Sequence, residues 1–396
     1  MSAVQHSRTA AEHPVSPALR SRLPQVGTTI FTVMSALAQQ CGAINLGQGF
    51  PDFDPDPKLP EAVNAAMRAG HNQYPPMAGV PLLREALAEK IEALHGAAYD
   101  PGEEITITAG ATQALLTAVL AVVHPGDEVI VLTPAYDSYA PAIALAGGVA
   151  RFVPLDAHYR PDFDAIAAAI TPRTRAMLVN SPHNPSGRVW TAQDMQRLGT
   201  LLAPTDIVLI SDEVYEHMVF DGATHHSAAA YPQLAARSFV VSSFGKTYHV
   251  TGWKVGMVAA PRELTREFRK VHQFNVFTVN TPMQHGLAHY LRTQPEAHLN
   301  LPAFYQAKRD RFRAGLASTR LRLLPCEGTY FQCADYGAVS DLPEAAFCEW
   351  LTREVGVAAI PLSAFHPDPV ERSTVRFCFA KREATLDAAL ERLARL

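Results

Sequence analysis

Lys246 stands in the segment Ser242-Ser243-Phe-Gly-Lys246-Thr-Tyr-His-Val-Thr-Gly252-Trp253-Lys254-Val-Gly256, directly behind an apolar run through Val241. A lone lysine is usually solvated surface. Here hydroxyls, a second lysine and glycines crowd one short stretch, a cluster that suits a phosphorylated cofactor bound through its aldehyde. Burial beside another cation such as Lys254 would lower the amine's pKa and free it to act as nucleophile and base. A second acid-bearing segment follows the apolar run Ile207 to Ser211, which ends in Asp212-Glu213-Val214-Tyr215. A carboxylate just beyond a buried run must find a cation or strong donors, because leaving it unpaired is expensive. The run ending at Val179 leads into Asn180-Ser-Pro-His-Asn184-Pro-Ser-Gly187, which presents two amide side chains, although turn chemistry alone explains that composition equally well. Ile105 to Thr108 runs into Ala109-Gly110-Ala111-Thr112 and then a helical stretch, so free backbone N–H groups and a positive dipole end converge there. That is a ready phosphate site, although many strand-to-helix turns hold Gly and Thr for geometry alone.

Other constellations fail their own tests. Gly47-Gln48-Gly49 is followed by Pro51 and Asp52 where a dinucleotide fold would open a helix. His285 and His289 share a helical face, but Gly286 occupies the place of a zinc protease's glutamate, so an ordinary helix surface is the expectation and no metal is assigned. The five cysteines are scattered without a CxxC pair, and mostly buried, reduced thiols are expected. A net charge of −4 without a basic block argues against nucleic acid. Apolar stretches such as Ala114 to Val123 stop short of the roughly 20 residues that span a bilayer, and the N-terminus lacks an apolar signal core, so the cytoplasm is the expected compartment.

The elements that must position these residues follow from β-branched runs alternating with helical patterns. Ile105 to Thr108, Glu128 to Leu132, Val149 to Val153, Ala176 to Val179, Ile207 to Ser211 and Phe239 to Ser242 read as strands. Such alternation predicts an α/β fold, a mostly parallel sheet covered by helices, with ligands at the carboxyl ends of its strands. Thr191-Ala-Gln-Asp194 reads as a capping box that opens one of the helices. Beyond about residue 290, charged helices over Pro302 to Thr319 and Glu383 to Leu396, with strand-like pieces around Tyr330 and Val375, predict a smaller α+β lobe. Residues 1–17 lack periodicity and read as a flexible arm.

Taken together, Ser243-x-x-Lys246 with Gly252-Trp253-Lys254, Asn184-Pro-x-Gly187 and Asp212-Glu-Val-Tyr215 resemble the class I/II pyridoxal-phosphate-dependent aminotransferases. The match extends over nearly the whole chain. Leu46-Gly-Gln-Gly-Phe-Pro-Asp52, Asn72-Gln-Tyr74 and Val375-Arg376-Phe-Cys-Phe-Ala380 resemble the branch of methionine, kynurenine and glutamine transaminases. The resemblance implies an aspartate-aminotransferase-like fold: a large domain over 46–290 around a mostly parallel seven-stranded sheet, and a small α+β domain from 18–45 and 291–396. It also implies pyridoxal 5'-phosphate as cofactor. Lys246 would carry the cofactor and shuttle the substrate's α-proton, and Asp212 would pair with the pyridine nitrogen to keep it protonated. Asn184 and Tyr215 would hold the phenolic oxygen, and Tyr136 would stack on the ring. The phosphate would lie among Ala111, Thr112, Ser243 and Lys254, with Tyr74 arriving from a second subunit, so a homodimer with shared sites is implied. Arg376 would bind the substrate carboxylate through its planar fork, aided by the Gly49 backbone. Phe50, with Tyr74, would supply an apolar wall.

Two departures bear on the substrate. Ala111-Thr112-Gln113 stands where kynurenine-type members often have Gly-Tyr-Gly, which leans toward the methionine-type branch. Lys254 stands where aspartate transaminases commonly carry arginine, and no second arginine is assignable to a side-chain carboxylate. The expected activity is amino transfer from an apolar or sulfur-containing L-amino acid, methionine foremost, to a 2-oxo acid by a ping-pong cycle. A kynurenine–oxoglutarate transaminase or a cysteine-conjugate β-lyase on the same scaffold stays open. A cofactor-binding sensor is the non-enzymatic alternative, but too few residues precede Gly47 for a DNA-binding module of about 50 residues.

Overall fold

The computed structural model describes residues 20–368, 370 and 372–396. The arm expected over 1–17 lies outside the described residues. Helix Ile30–Cys41 opens on Thr29, whose hydroxyl accepts from the Thr32 N–H, and closes at Gly42. It leads into the short strand β1 (Ile44–Asn45).

The sheet predicted from the β-branched runs forms from β2 (Ile105–Thr108), β3 (Glu128–Thr133), β4 (Val149–Pro154), β5 (Thr174–Asn180), β6 (Val208–Asp212), β7 (Ser238–Ser243) and β8 (Gly256–Ala259). Its seven strands lie in the order β2-β8-β7-β6-β5-β3-β4. The β8 strand runs antiparallel to both neighbours and the remaining pairs are parallel. Every residue of β2, β3, β6, β7 and β8 is buried, as strands covered on both faces must be. The edge strand β4 is mostly open. On one face Ala114, Leu115, Ala118 and Val119 of helix Ala111–Val122 pack with Val129, Phe239 and Phe268. The other face belongs to a larger core that continues among the elements of the later part of the chain. Helix Ala192–Leu202 opens with the predicted capping box, in which Thr191 and Asp194 cap each other's backbone N–H.

The later part of the chain holds β9 (Arg322–Leu323), β10 (Phe331–Asp335), β11 (Val357–Ala358), β12 (Ile360–Pro361) and β13 (Thr374–Cys378). Four of these form an antiparallel sheet in the order β12-β13-β10-β9, with Cys333 opposite Arg376. The fifth, β11, pairs in parallel with β1 and so ties the chain's early segment to its late one. Helices Leu301–Leu316 and Glu383–Leu393 contribute Tyr305, Phe312, Leu386 and Leu393 to this core. Cys326, Cys333, Cys348 and Cys378 are buried thiols and Cys41 is exposed. Among the described residues, no helix is long and apolar enough to cross a membrane.

Candidate active site

The carboxyl ends of β2, β5, β6 and β7 open onto one cavity of about 130 Å³. Nine residues predicted to bind a cofactor line it: Ala111, Thr112, Tyr136, Asn184, Asp212, Tyr215, Ser243, Lys246 and Lys254.

Lys246 sits on the short helix Phe244–Thr247 that β7 feeds, with its side chain partly open to the cavity. Its Nζ donates to Tyr330 Oη at 2.9 Å and to the Gly49 carbonyl at 3.2 Å. Burial of the amine end, aided by the Lys254 and Arg376 charges, lowers its pKa to about 8. At neutral pH a useful fraction of the amine therefore carries a free lone pair, as a nucleophile or proton acceptor requires.

Asp212 ends β6 almost fully enclosed, and burial pushes its pKa up to about 6 despite strong donors. Tyr139 Oη donates to Oδ2 at 2.6 Å, and the Val214 N–H donates to Oδ1 at 3.3 Å. Among the described residues the carboxylate thus pairs with donors rather than a cation, which leaves it suited to a cationic ring nitrogen brought by a ligand. Asn180 fastens the neighbouring turn: its Nδ2 donates to the Asp212 carbonyl at 2.9 Å and its Oδ1 accepts the Asn184 N–H at 2.8 Å. Tyr136 faces the same space, and burial raises its hydroxyl pKa to about 12.

The start of helix Ala111–Val122 forms an anion cradle. Its N-cap, Gly110, has φ 81 and supplies no side-chain cap, so the first-turn N–H groups remain available. Lys254 packs against that glycine, with its Nζ 3.2 Å from where a Cβ would lie, and the positive φ there is strained for any residue with a side chain. No carboxylate lies within ion-pair distance of Lys254 among the described residues. With Ser243 and Thr112 on the same wall, the cradle fits a dianionic phosphate.

Arg376, on β13, is buried to 1% exposure with no carboxylate partner among the described residues. Its guanidinium donates to Asn184 Oδ1 at 2.6 Å and to the Gly47 carbonyl at 3.1 Å, and lies 3.8 Å from the centre of the Phe331 ring. Among the described residues its Nε has no hydrogen-bond partner. A buried guanidinium this poorly compensated is costly unless an anion completes it, and the planar fork suits a carboxylate.

Arg376 lies outside the cavity lining, and three more predicted residues stand elsewhere. The Gly49 carbonyl accepts from Lys246 and Tyr330. Phe50 does not line the cavity; it is 45% exposed, with Lys381 Nζ 4.9 Å above its ring. Tyr74 is 80% exposed and packs edge-on against Phe277 rather than lining its own chain's cavity. Sequence reading also missed two side chains, Tyr139 and Tyr330, that bond directly to Asp212 and Lys246. His285 stacks on His71 at 3.7 Å, and no group of three metal-binding side chains forms among the described residues.

The pattern of known proteins agrees with this geometry. Residues 42–393 match the family described as aminotransferase class I and II. The methionine aminotransferase of Escherichia coli K12 is 54% identical over 97% of this chain and 99% of its own length. The solved structure of YbdL from Escherichia coli, whose reactivity identifies a methionine aminotransferase function, superposes with a TM-score of 0.95 over 97% of this chain and all of that one (100%). N-succinyldiaminopimelate aminotransferase from Mycobacterium tuberculosis is 43% identical with a TM-score of 0.92, covering 96% of this chain and 100% of that chain. Human kynurenine–oxoglutarate transaminase 1 is 35% identical over 90% of this chain and 93% of its own. The cavity at the strand ends and this breadth of likeness lead to one conclusion: the chain belongs to the class I and II aminotransferases.

Proposed function

We propose that the protein is a pyridoxal 5'-phosphate-dependent transaminase that moves the amino group of methionine, or of a similar apolar or sulfur-containing L-amino acid, to a 2-oxo acid. The observation that carries the reading is the lining of a single cavity by Lys246, Asp212, Lys254 and the open N-terminus of helix Ala111–Val122. In it, an amine of lowered pKa, a donor-held carboxylate and an anion cradle stand where a phosphorylated pyridine aldehyde needs all three.

Bound there, the cofactor would supply an electron sink for the substrate α-carbon and a carrier for the amino group. The chain's own contributions follow from its side chains. The Ala111 and Thr112 backbone, Ser243 and Lys254 would hold the phosphate, Tyr136 would flank the ring, and Asn184 and Tyr215 would bind the phenolic oxygen. Asp212 would keep the ring nitrogen protonated, and Arg376 would take the substrate carboxylate. Lys246, whose amine titrates at about 8, would accept the proton from the substrate α-carbon and deliver it to the cofactor's former aldehyde carbon. Methionine as donor is supported by the methionine aminotransferase that is 54% identical. Beyond Tyr136, a second cavity of about 390 Å³ has apolar walls from Leu23, Val26, Phe152 and Phe365. Arg22 also lines that cavity, so aspartate is the control for charge recognition.

The reading includes a homodimer, supported by the exposed Tyr74–Phe277 pair outside the chain's own cavity, and a division into lobes over 46–290 and over 18–45 with 291–396, supported by the pairing of β1 with β11. The test is an absorbance spectrum of the protein reconstituted with pyridoxal phosphate, taken before and after adding L-methionine, L-kynurenine, L-glutamine and L-aspartate. The bound chromophore should bleach with methionine and return with a 2-oxo acid. A protein that gains no chromophore on reconstitution would refute the reading.

A further inference from the structure

We propose that Tyr330 is the positioning residue for the free amine of Lys246, holding it so that its lone pair faces the reaction cavity. The inference rests on the reading of Lys246 given above and concerns a residue to which neither spacing nor family motif assigns a role.

The Tyr330 ring has little freedom. It is fully buried and packs against Tyr215, Phe331 and Tyr305 with ring centres 5.2, 4.8 and 5.7 Å away. The backbone that aims it is strained: Thr329 holds φ 66, a conformation that costs a β-branched residue about 1–3 kcal/mol. That geometry is held by the Thr329 N–H donating to the Met218 carbonyl at 2.9 Å and by the Phe331 N–H donating to Thr329 Oγ1 at 3.1 Å. Gly328, just before it, approaches so closely that a Cβ would lie 2.6 Å from the Met218 oxygen. Strain of this kind persists where surrounding contacts over-determine a site, and here its product is the location of one hydroxyl.

That hydroxyl donates to the Gly49 carbonyl at 2.5 Å, which leaves its lone pairs to accept from Lys246 Nζ at 2.9 Å. Nζ also reaches Gly49 O at 3.2 Å. A neutral amine has two N–H groups and one lone pair. With both N–H groups taken by Tyr330 and Gly49, the lone pair is the direction left over, and Lys246 lines the cavity on that side. When the amine gains a proton, the new N–H takes the lone-pair direction while the two existing bonds stay in place. Burial, with Tyr215 beside it, holds the Tyr330 hydroxyl well above the usual phenol range. It therefore keeps its own proton and acts as a hydrogen-bond partner.

The test measures how fast full-length apoprotein condenses with pyridoxal phosphate, one water being released as the carbon–nitrogen bond forms, from pH 6 to pH 10. Capture needs the unprotonated amine, so the parent's rate should rise through about pH 8. Tyr330→Phe removes an acceptor that favours the ammonium. Its midpoint should move down by about one pH unit and its high-pH plateau should fall about tenfold. Tyr305→Phe is the control, because the Tyr305 hydroxyl is buried without a hydrogen-bond partner among the described residues and its ring is Tyr330's neighbour. It should leave the profile unchanged. A Tyr330→Phe profile that superimposes on the parent's, or shifts equal in the two variants, overturns the inference. Lys246→Ala separates the two levels: if it captures the cofactor with the parent's spectrum, the proposed function fails, whereas if it fails to capture and Tyr330→Phe behaves as parent, only the role of Tyr330 falls.

Discussion

Replacing Tyr139 by phenylalanine deletes one hydroxyl from the wall of the cavity and keeps the ring. That hydroxyl donates to the buried Asp212 carboxylate at 2.6 Å, and hydrogen bonds to charged groups contribute about 1.5–3 kcal/mol. Asp212 already titrates at about 6 rather than 3.8, since burial outweighs its donors. A carboxylate whose folded pKa is raised leaves stability intact below the unfolded value and erodes it as pH climbs toward the folded one. In the parent apoprotein this erosion, between about pH 4 and pH 6, amounts to roughly 3 kcal/mol. Without Tyr139 the folded pKa rises by roughly one to two further units, and the erosion continues to about pH 7–8. The stability gap between variant and parent should therefore be small near pH 5, where both carboxyls are largely protonated, and should open to about 1.5–3 kcal/mol by pH 8. Urea unfolding of cofactor-free protein at the two pH values measures this directly. A gap of equal size at pH 5 and pH 8 would refute the reasoning, because it would mean that Tyr139 contributes packing and not support for a charged Asp212.

Other perturbations probe different links. Arg376→Lys cannot reproduce the fork that meets Asn184 and Gly47 or the stacking on Phe331, so kcat/KM should fall about 100-fold for every amino acid donor while the chromophore spectrum is unchanged. Lys90→Met removes the lysine that lies 2.9 Å from the buried Glu216 carboxylate, which is held, against the upward pull of burial, well below the usual range and would keep only Ser242 and the nearby His95 and His217 rings. Unfolding experiments should show a loss of about 3–5 kcal/mol, much of it restored when Glu216→Leu is added. Thr191→Ala removes the capping box of helix Ala192–Leu202 and should cost about 1 kcal/mol of stability with transaminase kinetics unchanged.

The contrast between what sequence reading located and what it missed has a physical cause. Lys246, Asp212 and Asn184 are legible because each stands within a few residues of a strand's carboxyl end, and buried parallel strands announce themselves as continuous apolar runs. The β8 strand is not legible as an apolar run because Gly-Met-Val-Ala holds a single β-branched residue, although it packs directly behind the Gly110–Ala111 turn. Tyr139 and Tyr330 escaped for a different reason. Their partners lie 73 and 84 residues away in sequence, and a tyrosine in an apolar stretch is by itself an ordinary core residue. A faint signal existed for Tyr139: it follows the cavity-facing Tyr136 by three residues, at the start of helix Tyr139–Leu145. For Tyr330 the needed information was the pairing of β10 with β13, which sets the strand bearing Arg376 beside the strand Tyr330 precedes. Motif and periodicity therefore locate the groups that meet a ligand, whereas the groups that set those residues' pKa and direction become visible only once distant strands have been paired. The pH-dependent behaviour of Asp212 is accordingly where this chain's own chemistry is to be measured, since the hydroxyl that opposes burial there belongs to Tyr139, which no local pattern marks.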